Sequence, residues 1–440
     1  MVYKSLKLVV VWLVFFAVSA AAFTPQFADA SKSVRLRWKN PVIRIALSTS
    51  LTKQTFNITP ETDVAGAIRR SLTTWEKVAD VEFQTVWTEK QAISPAGNAG
   101  DGVSLITIGQ TAENLALFGK DWNDVSAQTR TFFNRKGFIT EADIVLNPFQ
   151  QFSTDGSNGK FDLEATLTHE IGHLLGLEHS FVMGATMYAH QGKNGVYGLP
   201  SFSPRTLAED DISGIRALYG AKETDENCCG AIDGRLLLPN GKAAKEFQMW
   251  AEESESGRVV SGVVSGLDGE FLFDGLTQGE YRIYAQRTDA KAANSFSAEE
   301  IGKVEIENGK TVELTKRLQS KPTAFNLQFT GFNGQISELA VPVNGGKSYI
   351  IYIGGKNLDA DQLEMNFNSP SISVVPNSRL EYDYGADISV VSFEVRIAKK
   401  TPLGEYGIFV GTRGDRTTCL AGSLTVEEFE NNLNHSFLDR

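Results

Sequence analysis

The stretch Thr168–Ser180, THEIGHLLGLEHS, restricts this chain more than any other. His169 and His173 are four residues apart, so on a helix both imidazoles share one face, one turn after the other. Two imidazoles so placed can reach a single zinc ion at about 2.0–2.1 Å. Glu170 follows the first histidine and points beside the metal, where a bound water would sit. Zinc lowers the pKa of such a water to about 7, and a carboxylate within reach can take its proton. Gly176 lies three residues beyond His173 and, lacking a β-carbon, can adopt the left-handed conformation that ends a helix. The turn lets His179 come back to the same ion as a third ligand. Three protein ligands leave the fourth position open, as a catalytic zinc requires and a structural one does not. A bare His-Glu-x-x-His arises by chance, and a histidine on an apolar helix is often a packed core residue. Here the glycine and third histidine stand at the required offsets. Three of the five histidines of the chain fall in this one short segment, which packing does not explain.

The 440 residues exceed one ordinary core and imply two to four domains. A formal net charge of -11, with no lysine or arginine stripe, argues against a nucleic-acid partner. At the N-terminus Lys4 and Lys7 precede an apolar run from Leu8 to Phe23, and small residues follow, including Ala28-Asp29-Ala30. This order describes a secretory signal over 1–30 cut after Ala30, so a secreted, extracellular protein is expected. The alternative is an uncleaved anchor helix, but the run is shorter than the roughly 20 residues that cross a bilayer. No later segment could span a membrane. Cys228, Cys229 and Cys419 are the only cysteines. One of the adjacent pair could join Cys419, or all three could be free thiols.

Residues 31–220 read as mixed α/β. Val42–Leu47, Val81–Trp87, Val103–Ile108, Thr129–Phe133 and Ile139–Leu146 carry strand patterns. Ala65–Val78 has apolar residues at helical spacing, and a last helix is expected from about Leu207 to Leu218. Residues 221–229 are polar and make a linker. From 230 to 319 short strands alternate with turns such as Asn240-Gly241 and Asp268-Gly269, the mark of a small all-β sandwich. Strands return over 320–428, where Pro402-Leu403-Gly404-Glu405-Tyr406 leads into a late strand of an immunoglobulin-like sandwich. Residues 429–440 form a polar tail. The expected fold is therefore multidomain: an α+β catalytic domain followed by two all-β sandwich domains.

HEIGHLLGLEH is similar to the elongated zinc signature of the metzincins. Met187, in Ala185-Thr186-Met187-Tyr188, resembles the methionine turn of their matrixin branch, the matrix-metalloproteinase-like enzymes. Ala142–Asn147 and Leu207–Gly220 resemble the strand before the site and the closing helix of that branch. The run DGEFLFDGLTQGEYRIYA resembles a carboxypeptidase-regulatory-like, transthyretin-type accessory sandwich.

The matrixin resemblance implies a metalloprotease: a hydrolase using one catalytic Zn2+ held by His169, His173 and His179, with Glu170 as general base. Its substrate would be a protein or peptide, with proteolysis in the extracellular matrix the family pattern. Gly176 and Met187 would support the site, Met187 as an apolar floor, and Tyr188 to Leu199 would form the pocket wall. The strand near Val103 to Ile108 would be the edge that pairs with substrate. Asp210 and Asp211 are expected to brace the last helix, with no catalytic role. Apart from the signature only His190 and His435 remain, too few for an all-histidine second zinc site, and no cysteine precedes Cys228 to silence the zinc. Asp155–Gly159 with Asp162 could offer oxygen ligands to Ca2+, though a plain polar turn is the better reading. A rival reading is a surface or matrix-binding adhesion protein whose peptidase domain is degenerate, its two β-domains engaging a matrix or cell-surface ligand. The presence of Glu170 speaks against it.

Overall fold

The computed structural model describes residues 25–428 except 30–33, 98, 120, 121, 124, 200–204, 223, 289–294, 320–325, 357, 359, 360, 384–387 and 413–415. The apolar run Leu8–Phe23, the proposed cut after Ala30, His435 and the tail lie outside the described residues. No described helix is long and apolar enough to cross a membrane.

The first unit is a twisted mixed sheet carrying helices. Its strands are β1 (Arg37–Trp38), β2 (Val42–Ser48), β3 (Glu82–Thr88), β4 (Ser104–Thr107), β5 (Ala127–Phe133) and β6 (Phe138–Leu146). β2, β3, β4 and β6 run parallel in the order β3-β2-β4-β6, and β5 joins β6 antiparallel. Parallel strands need crossovers, and α1 (Val64–Glu76) supplies the one between β2 and β3. A one-turn helix, α2 (Ala112–Leu115), precedes β5. β7 (Phe152–Ser153) and β8 (Phe161–Asp162) form a short pair ahead of α3 (Leu163–Leu174), and α4 (Glu209–Tyr219) closes the unit. Ile68, Leu72 and Trp75 of α1, Leu167, Ile171 and Leu174 of α3, and Ile43, Ile45 and Ile144 of the sheet share one buried core. One expectation is corrected here. β4, near Val103 to Ile108, pairs with β2 on one side and β6 on the other, so it is interior. Its fully buried pattern, Ser-Leu-Ile-Thr, fits that position. The antiparallel edge is β5, which pairs only with β6 among the described residues.

The second unit comprises β9 (Cys228–Leu237), β10 (Gln248–Glu253), β11 (Arg258–Val264), β12 (Glu270–Thr277), β13 (Gly279–Arg287), β14 (Phe296–Ile306) and β15 (Thr311–Arg317). The sheet β12-β9-β15 faces the sheet β14-β13-β10-β11 across a core that includes Phe247, Phe273 and Ile283. The third unit holds β16 (Asn326–Phe332), β17 (Gln335–Ser337), β18 (Val341–Val343), β19 (Ser348–Lys356), β20 (Leu363–Asn366), β21 (Ile372–Val374), β22 (Leu380–Asp383), β23 (Ser389–Ile397), β24 (Gly404–Thr412) and β25 (Arg416–Val426). The two sandwiches are not separate beads. β11 pairs antiparallel with β24, so one eight-stranded sheet runs through both.

Each sandwich contains the same local device. Tyr281, in Gly279-Glu280-Tyr281, donates its hydroxyl to the carbonyl of Thr277 at 2.8 Å. Tyr406, in Gly404-Glu405-Tyr406, does the same to Pro402 at 2.8 Å. A tyrosine that bonds back to the chain a few residues upstream is a corner of immunoglobulin-like sandwiches. Cys228 and Cys229 are bridged to each other, and Cys419 is buried and free. A bridge from the adjacent pair to Cys419 is thereby ruled out.

Candidate active site

Helix α3 is fixed before it reaches its histidines. Asp162 caps it by accepting the Ala165 N–H at 2.9 Å, and Arg205 holds that carboxylate through Nη2 at 2.6 Å. Deeper in, the Trp75 indole donates to the Thr168 carbonyl at 2.9 Å and locks α3 on α1. The helix stops where the glycine demands. Leu177 N–H bonds to Gly172 O and Gly176 N–H to His173 O, the paired closure that requires a left-handed residue. Gly176 has φ +101, and a β-carbon there would meet Leu36 O at 2.5 Å. The chain then reverses and brings His179 back.

The three imidazoles converge. His173 Nε2 lies 3.1 Å from His169 Nε2 and 3.2 Å from His179 Nε2. The far nitrogens of two are occupied: His169 Nδ1 lies 2.7 Å from Thr186 O, and His173 Nδ1 lies 2.8 Å from Leu177 O. Carbonyls only accept, so each Nδ1 carries the proton and each Nε2 presents a lone pair. Lone pairs facing one another at this distance are repulsive unless a cation sits among them. Tetrahedral ligation at about 2.0–2.1 Å places nitrogens roughly 3.3 Å apart, close to what is observed. Burial, followed by the neighbouring histidines, pushes His169 down to about 3 and His179 down to about 2, so both are neutral, as metal ligands must be. Among the described residues this is the one group of His, Cys, Asp or Glu whose ligand atoms lie close enough for one ion. The donor set fits a borderline-soft divalent metal such as zinc.

Glu170 is buried on the same helix, and burial raises its pKa, opposed by His173 and by a hydrogen bond. That bond comes from Thr129 Oγ1 on β5, which donates to Glu170 Oε2 at 2.5 Å. Sequence reading missed Thr129. Its only signal is the strand pattern Thr129–Phe133, and pairing across forty residues is not legible in that. Beneath the site Met187 is fully buried, and its sulfur lies 2.2 Å from where a β-carbon on Gly172 would stand. Gly172 thus lets the methionine press against the helix that bears the ligands. The turn around Met187 is gripped from α4, since Asp211 accepts the N–H groups of Thr186, Met187 and Ala208 at 2.8, 2.9 and 2.9 Å. Asp210 instead accepts Ser180 Oγ and the Gly262 N–H of the second unit, both at 2.6 Å. Both aspartates do more than brace the helix end.

The turn at Asp155 is self-contained: its carboxylate accepts Ser157 N–H at 3.0 Å and Ser157 Oγ at 2.6 Å. Asp162 is engaged by Arg205 and by the α3 cap.

Three converging imidazoles, one buried and two partly buried, beside a buried carboxylate on a helix flanked by an antiparallel edge strand, define a mononuclear metallohydrolase site of the zinc-peptidase class. Residues 37–220 match the family model described as Matrixin, and this segment is a matrixin domain. Metalloendoproteinase 1 of Glycine max is 30% identical over 181 residues, covering 38% of this chain and 51% of that protein. Metalloendoproteinase 1-MMP of Arabidopsis thaliana is 30% identical over 193 residues, 42% of this chain and 44% of that one. Neutrophil collagenase of Homo sapiens is 29% identical over 188 residues, 39% and 32% respectively. The chain thus spans about half the length of these relatives or less. The major pilin subunit of Bacillus cereus aligns over 43% of this chain and 66% of that one at 17% identity, with a TM-score of 0.18, too slight to bear on the fold.

Proposed function

We propose that this chain is an exported zinc-dependent endopeptidase, with His169, His173 and His179 as the metal ligands and Glu170 as general base. The observation that carries it is the convergence of three Nε2 atoms beside one buried carboxylate inside a matrixin domain. Zinc, when bound, supplies Lewis acidity toward a substrate carbonyl and toward water. Glu170 takes the proton of the attacking water and later gives it to the leaving amine, one carboxylate acting in both directions. Thr129 holds Oε2 of Glu170 and leaves Oε1 to do the work. The substrate lies extended along β5, whose outer N–H and C=O groups offer main-chain pairing. Gly176 and Met187 support the ligand helix and take no part in the chemistry. Export is supported by the basic, apolar and small-residue order of residues 4–30.

Purified full-length protein should contain about one zinc per chain and cleave an unstructured protein such as casein, with a chelator abolishing cleavage and added zinc restoring it. Chelator-insensitive cleavage, or zinc-replete protein with no cleavage of any peptide library, would refute the reading.

A further inference from the structure

The segment Tyr188–Leu199 leaves the methionine turn and runs past the start of α3. Gln191 Oε1 accepts Ser126 Oγ at 2.7 Å, just before β5, and Thr166 Oγ1 of α3 at 3.3 Å. The segment therefore flanks the substrate edge on one side and the ligand helix on the other. Beyond Asn194 it enters another domain. Tyr197 is fully buried among residues of the third unit, in one cluster with Val341, Ile353 and Tyr406. Its hydroxyl reaches Ser337 Oγ at 2.7 Å, Leu339 O at 2.9 Å and Thr330 Oγ1 at 3.1 Å. Its backbone is held as well: Tyr197 N–H donates to Gln335 Oε1 at 2.7 Å, and Asn333 Nδ2 donates to Tyr197 O at 2.9 Å. Tyr197 takes φ 58, a left-handed conformation that a bulky residue adopts only when its surroundings impose it. A residue of the first unit is thus a core side chain of the third.

We propose that the third domain positions the wall of the peptidase cleft through Tyr197, so that cleavage preference is a property of the three-domain chain and not of the matrixin domain alone. The proposal rests on the peptidase reading and deepens it. Tyr197 is a positioning residue: it touches no reacting atom, and its anchorage fixes the path of residues 188–196. His190, near the start of that path, lies with Nε2 3.4 Å from Glu338 of the same domain. Behind the wall a cavity of about 660 Å3 opens between the three units, bordered by Tyr188, Gly192, Arg258 and Glu405. That space would let the segment shift if the anchor were released.

The test uses the full chain in three forms: wild type, Tyr197→Ser, and a double variant on the third domain alone, Asn333→Gly with Gln335→Ala. The double variant leaves the tyrosine core intact and removes only the two bonds to the loop backbone, so it guards against a Tyr197 variant that fails to fold. Each is profiled on a peptide library, and amide hydrogen exchange is followed over residues 188–199. The expected result is faster exchange in that segment, a redistributed set of cleaved bonds, and a KM raised about three- to tenfold with kcat changed less than about twofold. Unchanged exchange and an unchanged profile in both variants would overturn the proposal. Absence of cleavage by zinc-loaded wild type would instead count against the peptidase reading, and the exchange data would still decide whether the third domain holds the segment.

Discussion

Thr129 Oγ1 donates to Glu170 Oε2 at 2.5 Å and joins the edge strand to the carboxylate of the ligand helix. The bond fixes one oxygen of Glu170 and so aims the other. Thr129→Val keeps the shape and removes the donor. It should lower kcat about tenfold, the worth of one hydrogen bond to a charged group, while bound zinc stays stoichiometric. Steady-state kinetics and metal analysis on the same sample check this, and an unaltered kcat would relieve Thr129 of the role.

Removal of the third imidazole should act on the metal itself. His179→Ala leaves two nitrogen ligands, and both zinc content and peptidase rate are expected to fall together. Dialysis against a zinc buffer followed by metal analysis reads the first. Full zinc retention would place the ion elsewhere.

Asp211 accepts three backbone N–H groups at the methionine turn and the start of α4. Asp211→Asn sets an amide N–H2 against at least one of those donors. Denaturant unfolding should show a loss of about 1–3 kcal/mol. A change within the error of the extrapolation would mean that the turn holds its shape without this residue.

Glu405 is buried at the junction of the three units, facing Glu209, Asp210 and Asp211, with Arg258 against Gly404 beside it. Burial first, and then the surrounding negative charges, pushes Glu405 up to about 8 from 4.5. The folded form therefore keeps a proton that the unfolded chain has released, and stability is lost as pH rises from 4.5 to about 8. Asp210, pushed up to about 7 by burial and by Asp211, adds in the same direction. Glu405→Gln should raise the thermal midpoint at pH 8.5 and leave it nearly unchanged at pH 5, since only at the higher pH does the wild-type carboxyl have to give up its proton. An identical pH dependence in the variant would contradict the assignment.

Processing gives a further check. Gln26 N–H donates to Gly176 O at 2.7 Å, and its side-chain amide donates to Leu177 O at 3.1 Å, so residues 25–28 add a strand-like contact to the loop that carries the third histidine. A cut after Ala30 would discard that contact. Mass spectrometry of exported protein should find a mature start at Ser31, as the small-residue order Ala28-Asp29-Ala30 implies, and a start upstream of Pro25 would contradict that cut and keep the Gln26 contact.

What the sequence disclosed is what short-range chemistry determines. Two histidines four apart, a glycine that must turn and a third histidine fix the site within a dozen residues, and the structure brings all three rings together. Five strands and two helices of the first unit fall within two residues of their expected bounds, because their periodicity is strong, whereas β1, α2, β7 and β8 are too short to carry a readable pattern. Other features depend on contacts distant in sequence. That β4 is interior and β5 the edge follows from strand order, which the burial of Ser-Leu-Ile-Thr hints at but does not specify. Thr129 reaches Glu170 across forty residues, and Tyr197 finds its pocket among residues more than a hundred positions away. The mutual bridge of Cys228 and Cys229 ran against the usual avoidance of adjacent pairing. The paired Gly-Glu-Tyr corners could have been seen as a repeated tripeptide.

The proposed chemistry depends most directly on Glu170 as the base. Glu170→Gln preserves shape and cannot accept a proton, so the purified full-length variant should bind zinc as the wild type does and lose at least about a thousandfold in kcat on a peptide substrate. Wild-type zinc content with turnover near the wild-type rate would contradict it.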